Sequence, residues 1–273
     1  MKKVLVVTGG GSGMGLAAIK YFDKEYAVVI SGRTLAKLEK AVDELKGLGY
    51  EAYAKTCDTS IRQSVIELVE YASSIGQVTV VINAAGLSPK MAKPEDIVRV
   101  NALGTVYVNE EFSKVMDRGS VILDVASNSA YVLPSFLINK KVYALAESDE
   151  SKFVAKIVKK SQMAKTDYQK SGFAYALSKN FVVWYAKKSA FEYGKKGIRV
   201  VSLSPGLIST DMGNLEAEDG AMLIPMTAEN RMGNPEELGY AIATVADPRN
   251  GFLCGVDVLA DGGATTRMKE FKK

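Results

Sequence analysis

Apolar residues along the chain fall into short unbroken runs, separated by longer stretches in which they recur at three- and four-residue spacing. The runs cover residues 4–7, 27–31, 53–56, 79–82, 121–125, 199–203 and 256–259. A strand that alternates apolar and polar residues has one wet face. These runs do not alternate, so they predict strands covered on both faces. The stretches between them predict amphipathic helices at 14–24, 35–45, 61–74, 95–116 and 173–193. In the first, Leu16, Ile19, Tyr21 and Phe22 are expected to point inward, and in the second Leu38, Ala41, Val42 and Leu45 form one stripe. Repeated strand–helix units imply an α/β fold, a doubly wound parallel sheet with right-handed crossovers. No linker rich in Pro, Gly or Ser and no internal repeat interrupts the pattern, so residues 1–273 are expected to form one domain.

One stretch breaks the alternation. Between residues 130 and 172 the chain carries an extra segment ahead of the last long helix. Within it Phe153, Val154, Ile157 and Val158 recur at helical spacing, with Lys152, Lys156, Lys159 and Lys160 off that stripe. Ser148 or Asp149 is placed to cap such a helix. One or two inserted helices are predicted there rather than disorder.

Composition narrows the function classes. Apolar residues make up 47% of the chain, enough for a substantial core. The net charge of +4, from 35 basic and 31 acidic residues, is too small and too scattered to indicate nucleic acid. The lysines at 269–273 read as a solvated tail. The apolar run at 4–7 is too short for a secretion signal, and no stretch is long enough to span a membrane. The two cysteines, Cys57 and Cys254, are far apart and form no CxxC pair. That usage implies buried thiols in a reducing compartment, hence a cytoplasmic protein. There is no histidine, which excludes histidine general-base chemistry and the commonest zinc sites. No metal site is expected.

Three groups of residues suggest chemistry. The first predicted strand runs into Thr8-Gly9-Gly10-Gly11-Ser12-Gly13-Met14-Gly15 and then a helix. A Gly-rich turn at a helix N-terminus offers backbone N–H groups and the helix dipole to a pyrophosphate. The spacing is GxxxGxG rather than GxGxxG, and a ligand-free tight turn is the competing reading. After the second strand, Gly32 and Arg33 stand where an acid would bind ribose hydroxyls. A guanidinium there suits a 2′-phosphate and favours NADP(H), with NAD(H) the other option; an arginine stacked on adenine is the alternative. Tyr175 and Lys179 lie one turn apart on one helix face. An ammonium beside a phenol favours the phenolate and eases proton exchange with an alcohol oxygen. A half-buried Tyr beside a solvated Lys is the bland reading of that pair.

Taken in order, these residues resemble the classical short-chain dehydrogenases/reductases over essentially the whole chain apart from the extra segment. The Gly-rich turn matches the TGxxxGxG of that family. Asp58 matches its adenine-contacting aspartate, and Asn83-Ala84-Ala85-Gly86 its NAG motif. Asn101, Ser127, Tyr175 and Lys179 match the four catalytic positions, and Pro205-Gly206 with Thr210 the nicotinamide loop. The resemblance implies a Rossmann-like domain with the cofactor on Gly9, Ser12, Gly13, Met14, Gly15, Arg33, Thr34, Asp58, Asn83, Ala84, Gly86, Tyr175, Lys179, Ile208 and Thr210. It implies hydride transfer to or from the cofactor. Tyr175 would exchange the proton, Lys179 would tune Tyr175 and hold the nicotinamide ribose, and Ser127 would steady the substrate oxygen. Asn101 would hold a water. Ser129 is a rival to Ser127, which is preferred for its place at the strand end.

Ser127 and Tyr175 lie much further apart than that family usually leaves them, and the extra segment fills the gap. A similar insertion is found in the bacterial 3α-hydroxysteroid dehydrogenase/carbonyl reductase subgroup, which suggests a hydroxysteroid, bile acid or other bulky apolar alcohol or ketone. General carbonyl, polyol or acyl-chain ketone reduction are alternatives, and a non-catalytic NADP-sensing protein is a further one. The substrate loop at 207–233 holds Met212, Leu215, Met222, Leu223, Ile224, Met226 and Met232, suited either to an apolar ligand or to packing on the core. The inserted helices should obstruct the family's helix-mediated interface and leave the C-terminal strand and its preceding helix to form a dimer.

Overall fold

The computed structural model describes residues 1–216 and 220–271. All seven predicted strands are present: β1 (Lys3–Thr8), β2 (Ala27–Gly32), β3 (Glu51–Thr56), β4 (Gln77–Asn83), β5 (Val121–Val125), β6 (Arg199–Pro205) and β7 (Asp257–Ala260). They form one parallel sheet in the order β3-β2-β1-β4-β5-β6-β7. The winding reverses between β1 and β4, where Thr8 stands level with Asn83. Such a switch point opens a crevice at the carboxyl ends of the strands.

Two apolar layers cover the sheet. On one face α1 (Gly13–Ile19), α2 (Leu35–Gly47) and the helix Pro235–Ala246 pack with Leu5, Val7, Ile30 and Leu203. The predicted stripe of Leu38, Ala41, Val42 and Leu45 is buried there. The other face carries α3 (Arg62–Ile75), α4 (Pro94–Val98), α5 (Gly104–Phe112) and, after the extra segment, α8 (Asp167–Tyr193). Tyr21 departs from expectation. α1 ends at Ile19, so the next residues leave the helical face, and Tyr21 stacks edge-on against Tyr240 at the surface, 5.3 Å between ring centres.

The helix predicted at 95–116 is three pieces. Between α4 and α5 the residues Arg99–Leu103 form a π turn, and α5 stops at Phe112. The final long helix starts earlier than predicted, at Asp167, so the last residues of the extra segment belong to its first turns. Thr166 and Gln169 form a reciprocal capping box that fixes this start.

Within the segment, α6 (Lys140–Tyr143) leads to α7 (Glu150–Ser161). Asp149 caps α7 by accepting the Lys152 N–H at 3.0 Å. Phe153, Val154 and Ile157 are buried, while Val158 is only partly covered. They pack against α4 and α8, where Tyr143, Phe153, Phe181, Trp184 and Tyr185 form one aromatic cluster. Polar ties fasten the segment: the Tyr143 hydroxyl donates to Asn180 Oδ1 at 2.9 Å, Asn180 Nδ2 donates to the Ala130 carbonyl at 2.7 Å, and Tyr107 donates to Glu150 at 2.6 Å. Arg62 lies over the Tyr107 ring and reaches Glu110, Glu111 and Glu150.

Candidate active site

Three loops at the carboxyl edge of the sheet build the site. The turn after β1 is left-handed at Gly9 and Gly13, conformations that favour glycine. A Cβ on Gly9 would stand 2.8 Å from the Ala84 carbonyl oxygen, so the β1 and β4 loops touch only because that side chain is missing. A Cβ on Gly13 would project toward Thr210, 3.5 Å from its Cγ2. The bare Gly13 turn and Thr210 therefore face each other across a cradle that a side chain would fill, and this fits a dinucleotide at the start of α1. Ser12, in extended backbone, precedes α1 and is exposed; Gly15 is buried beneath, against Gly9.

A cavity of about 270 Å³ is lined by Arg33, Asp58, Ser60, Leu87 and Arg99. Arg33 is exposed, and Thr34 beside it starts α2. Asp58 Oδ1 accepts from the Ser60 N–H and hydroxyl, at 2.9 and 2.6 Å. Arg99, which motif reading overlooks, brings a second guanidinium to this cavity, paired to Glu95 one turn earlier on its helix.

Tyr175 and Ser127 share a second cleft of about 310 Å³ with Met14, Val132, Leu207, Ile208, Thr210, Met212 and Leu223. Burial raises the Tyr175 phenol above its ordinary value, the Ser127 hydroxyl opposes the rise, and the charge of Glu216 adds to it. The lowering expected from Lys179 is not seen; among the described residues the only group that lowers the phenol is Ser127. The Lys179 ammonium is 5.9 Å from the Tyr175 ring centre and donates to the Val125 carbonyl at 2.8 Å. Lys179 is itself buried, and desolvation depresses its pKa to about 8. Ser127 Oγ accepts the Ser129 N–H at 3.2 Å, so Ser129 steadies Ser127; its own hydroxyl is buried without a partner.

Asn101 sits inside the π turn, which rotates it out of the regular helical register. Its Oδ1 accepts the Leu87 N–H at 2.8 Å and its Nδ2 donates to the Leu87 carbonyl at 3.0 Å. This pins the loop after β4. Gly86, in that loop, leaves room for both neighbours: a Cβ there would meet Asn101 Oδ1 at 3.3 Å and Lys179 Nζ at 3.6 Å. Asn83 goes elsewhere. It is buried below the crevice, accepting from Thr8 Oγ1 at 2.8 Å and donating to Asp124 at 3.1 Å, so its amide braces the sheet.

The extra segment lines the cleft with its ends. Val132 comes from before α7, Tyr168 and Gly172 from after it, and α7 itself spends its apolar stripe on the aromatic cluster. In the substrate loop only some of the apolar residues face inward: Met212 and Leu223 line the cleft, while Leu215 and Met222 are exposed. Residues 217–219 of that loop, and Lys272 and Lys273 of the basic tail, lie outside the described residues. The loop is latched. Glu216 Oε1 accepts from Ser88 Oγ at 2.8 Å and the Lys90 N–H at 2.9 Å, and its Oε2 accepts from the Tyr168 hydroxyl at 2.9 Å.

The profile of the short chain dehydrogenase family matches residues 3–144, more than half of the chain. This protein is a short-chain dehydrogenase/reductase. A second profile, described as enoyl-(acyl carrier protein) reductase, matches residues 135–265. The chain is 28% identical over 271 residues to a 3alpha-hydroxysteroid dehydrogenase of Mediterraneibacter gnavus, covering 96% of each chain. It is 27% identical over 267 residues to a cyclohexanol dehydrogenase of Acinetobacter sp., covering 97% of this chain and 96% of the other. A short-chain dehydrogenase/reductase of Serratia marcescens has the same fold, with TM-score 0.76 at 23% identity and coverage of 96% and 98%. The enzyme is therefore an oxidoreductase of alcohol and ketone groups that uses a nicotinamide dinucleotide. No helix among the described residues is long and apolar enough to cross a membrane.

Glu216→Ala removes all three latch hydrogen bonds at once. Hydrogen–deuterium exchange should then quicken several-fold in residues 211–216 and 87–91, the segments it joins; unchanged protection would show that the loop is held by other contacts.

Proposed function

We propose that this short-chain dehydrogenase/reductase uses NADP(H) to interconvert a bulky apolar secondary alcohol, of hydroxysteroid size and character, with its ketone. The carrying observation is the second cleft, where Ser127 and Tyr175 face walls of Leu207, Ile208, Met212, Leu223 and Val132. Apolar walls with a few convergent polar groups suit a rigid hydrocarbon body bearing one oxygen. They offer little to a polyol, whose many hydroxyls need partners. The hydroxysteroid and cyclohexanol dehydrogenases among its relatives support the same substrate class.

Bound nicotinamide supplies or accepts the hydride. The residues do the rest. Ser127 donates a hydrogen bond to the carbonyl oxygen as negative charge develops there. Tyr175, a neutral phenol in its buried setting, donates the proton that makes the alcohol, and takes it back in oxidation. Lys179 would hold the nicotinamide ribose, and its ammonium would ease loss of the Tyr175 proton. Asn101 fixes the β4 loop against which Lys179 sits. The leucines, methionine and valine of the walls keep water from the reacting oxygen.

NADP(H) is assigned from Arg33 and Gly32, with Arg99 adding positive charge to the same cavity. The homodimer is assigned from what is left bare. α7 covers the face of α8 that carries Phe181 and Tyr185, whereas β7 is an open edge of the sheet. Val256, Leu259 and Phe252 are exposed beside that edge. A cytoplasmic location agrees with two unpaired thiols, Cys57 and Cys254.

Tyr175→Phe keeps the ring and removes the proton. Turnover of a bulky cyclic ketone, followed by NADPH absorbance, should drop about 100-fold or more while NADPH binding persists; near-normal turnover would refute the role. Arg33→Asp should weaken NADPH binding about tenfold or more and improve NADH, since it exchanges a phosphate partner for a ribose acceptor. A wild type that uses NADH as well as NADPH would overturn the assignment. Light scattering should give a dimer, and Leu259→Lys should give monomer; a tetramer built on the α8 face would contradict the reading.

A further inference from the structure

One charged group at the centre of the molecule has no part in either cleft. Asp124 is wholly buried in β5, inside a run otherwise made of Val121, Ile122, Leu123 and Val125. An isolated carboxylate in such a place is costly and survives only with partners. Both oxygens have one. Oδ1 accepts from Asn83 Nδ2 at 3.1 Å and Oδ2 accepts from Asn109 Nδ2 at 2.8 Å. Two N–H donors aimed at two carboxylate oxygens favour the anion. The next residue, Val125, offers the carbonyl that receives Lys179 Nζ, so the carboxylate belongs to the residue beside the one that holds the ammonium.

We propose that Asp124 is a positioning residue for the reaction, its buried negative charge holding Lys179 in the ammonium form one helical turn from Tyr175. The proposal rests on the oxidoreductase reading above for its purpose, though not for its test. Lys179 is buried with one carbonyl partner, and no salt bridge reaches it among the described residues. The other groups around the pair are neutral or belong to the site. β1 contributes Thr8, β6 Ser202, and α5 Asn109 and Thr105. The π turn contributes Asn101, and α8 itself contributes Tyr175. Glu216 acts on Tyr175 from the substrate loop. Asp124 is thus the charge that bears on Lys179 from the sheet. Burial pushes Asp124 up to about 7 and Lys179 down to about 8, and each charge favours the other.

Asp124→Asn removes the charge and can keep the hydrogen bonds. An amide at 124 still accepts from Asn83 and turns its N–H toward Asn109. Asn109 Oδ1 is buried with no partner, so a half-turn of that side chain supplies the acceptor. The test follows the Lys179 ammonium directly, by NMR titration of protein labelled with ¹³C at lysine Cε, the resonance being assigned with Lys179→Arg. In Asp124→Asn the Lys179 inflection should move down by about one pH unit. The alkaline limb of kcat/KM should move with it, while a structural role alone would lower stability and leave both in place. An unmoved Lys179 inflection overturns the proposal, as does a shifted inflection with an unmoved alkaline limb. Should Asp124→Asn fail to fold, Asp124→Ser is titrated in the same way, and an unmoved Lys179 inflection there overturns the idea. The NMR measurements need no turnover, so a protein that reduces no ketone would defeat the oxidoreductase reading while leaving the Asp124–Lys179 coupling to be judged by itself.

Discussion

The site depends on a line of polar side chains driven through an apolar sheet. Thr8, Asn83, Asp124 and Asn109 come from β1, β4, β5 and α5 and are joined by hydrogen bonds, with almost no water contact. In a medium this dry, each bond is strong and each missing partner expensive. The line therefore tolerates little sliding of the strands. It lies just beneath the crevice at the switch point, so it fixes the relative heights of the loops that follow β1, β4 and β5. Those loops carry the Gly-rich turn, Gly86 and Ser127. A scaffold of apolar contacts alone would allow more play, because dispersion forces are not directional.

A second set of contacts holds the helix that carries Tyr175 and Lys179. α8 is long, and much of its surface faces the sheet or the extra segment. Phe181 touches Tyr143, Phe153, Trp184 and Tyr185, all from the same chain. Tyr175 and Lys179 thus sit on a helix clamped from both sides within one subunit. Arg62, Tyr107 and Glu150 close the far end of this clamp through charge and ring contacts.

Much of this was legible in the sequence. A parallel sheet buried on both faces writes its strands as continuous apolar runs, and all seven were found in this way. The stripe on α7 and its Asp149 cap were equally plain, since both follow from local spacing. Three features were not. The π turn adds one residue to a helix, and a 3.6-residue periodicity read over a long window cannot register a single step; Asn101 was placed by family likeness, without its mechanism. The Glu216 latch joins Ser88, Lys90 and Tyr168 from distant parts of the chain, and nothing local announces such a meeting. Asp124 did leave a signal, an acid in the middle of a run of Val, Ile and Leu. Motif matching passed over it because the matched residue, Ser127, comes three positions later. Tyr21 failed for a simpler reason: its helix ended before reaching it.

The latch also bears on tempo. Glu216 holds the substrate loop to the β4 loop and to the first turns of α8 through one carboxylate, so the contacts form and break as a unit. Opening the loop would require the carboxylate to exchange its three donors for water together. A flap held in this way would add its own interval to each turnover, separate from transfer of the hydride.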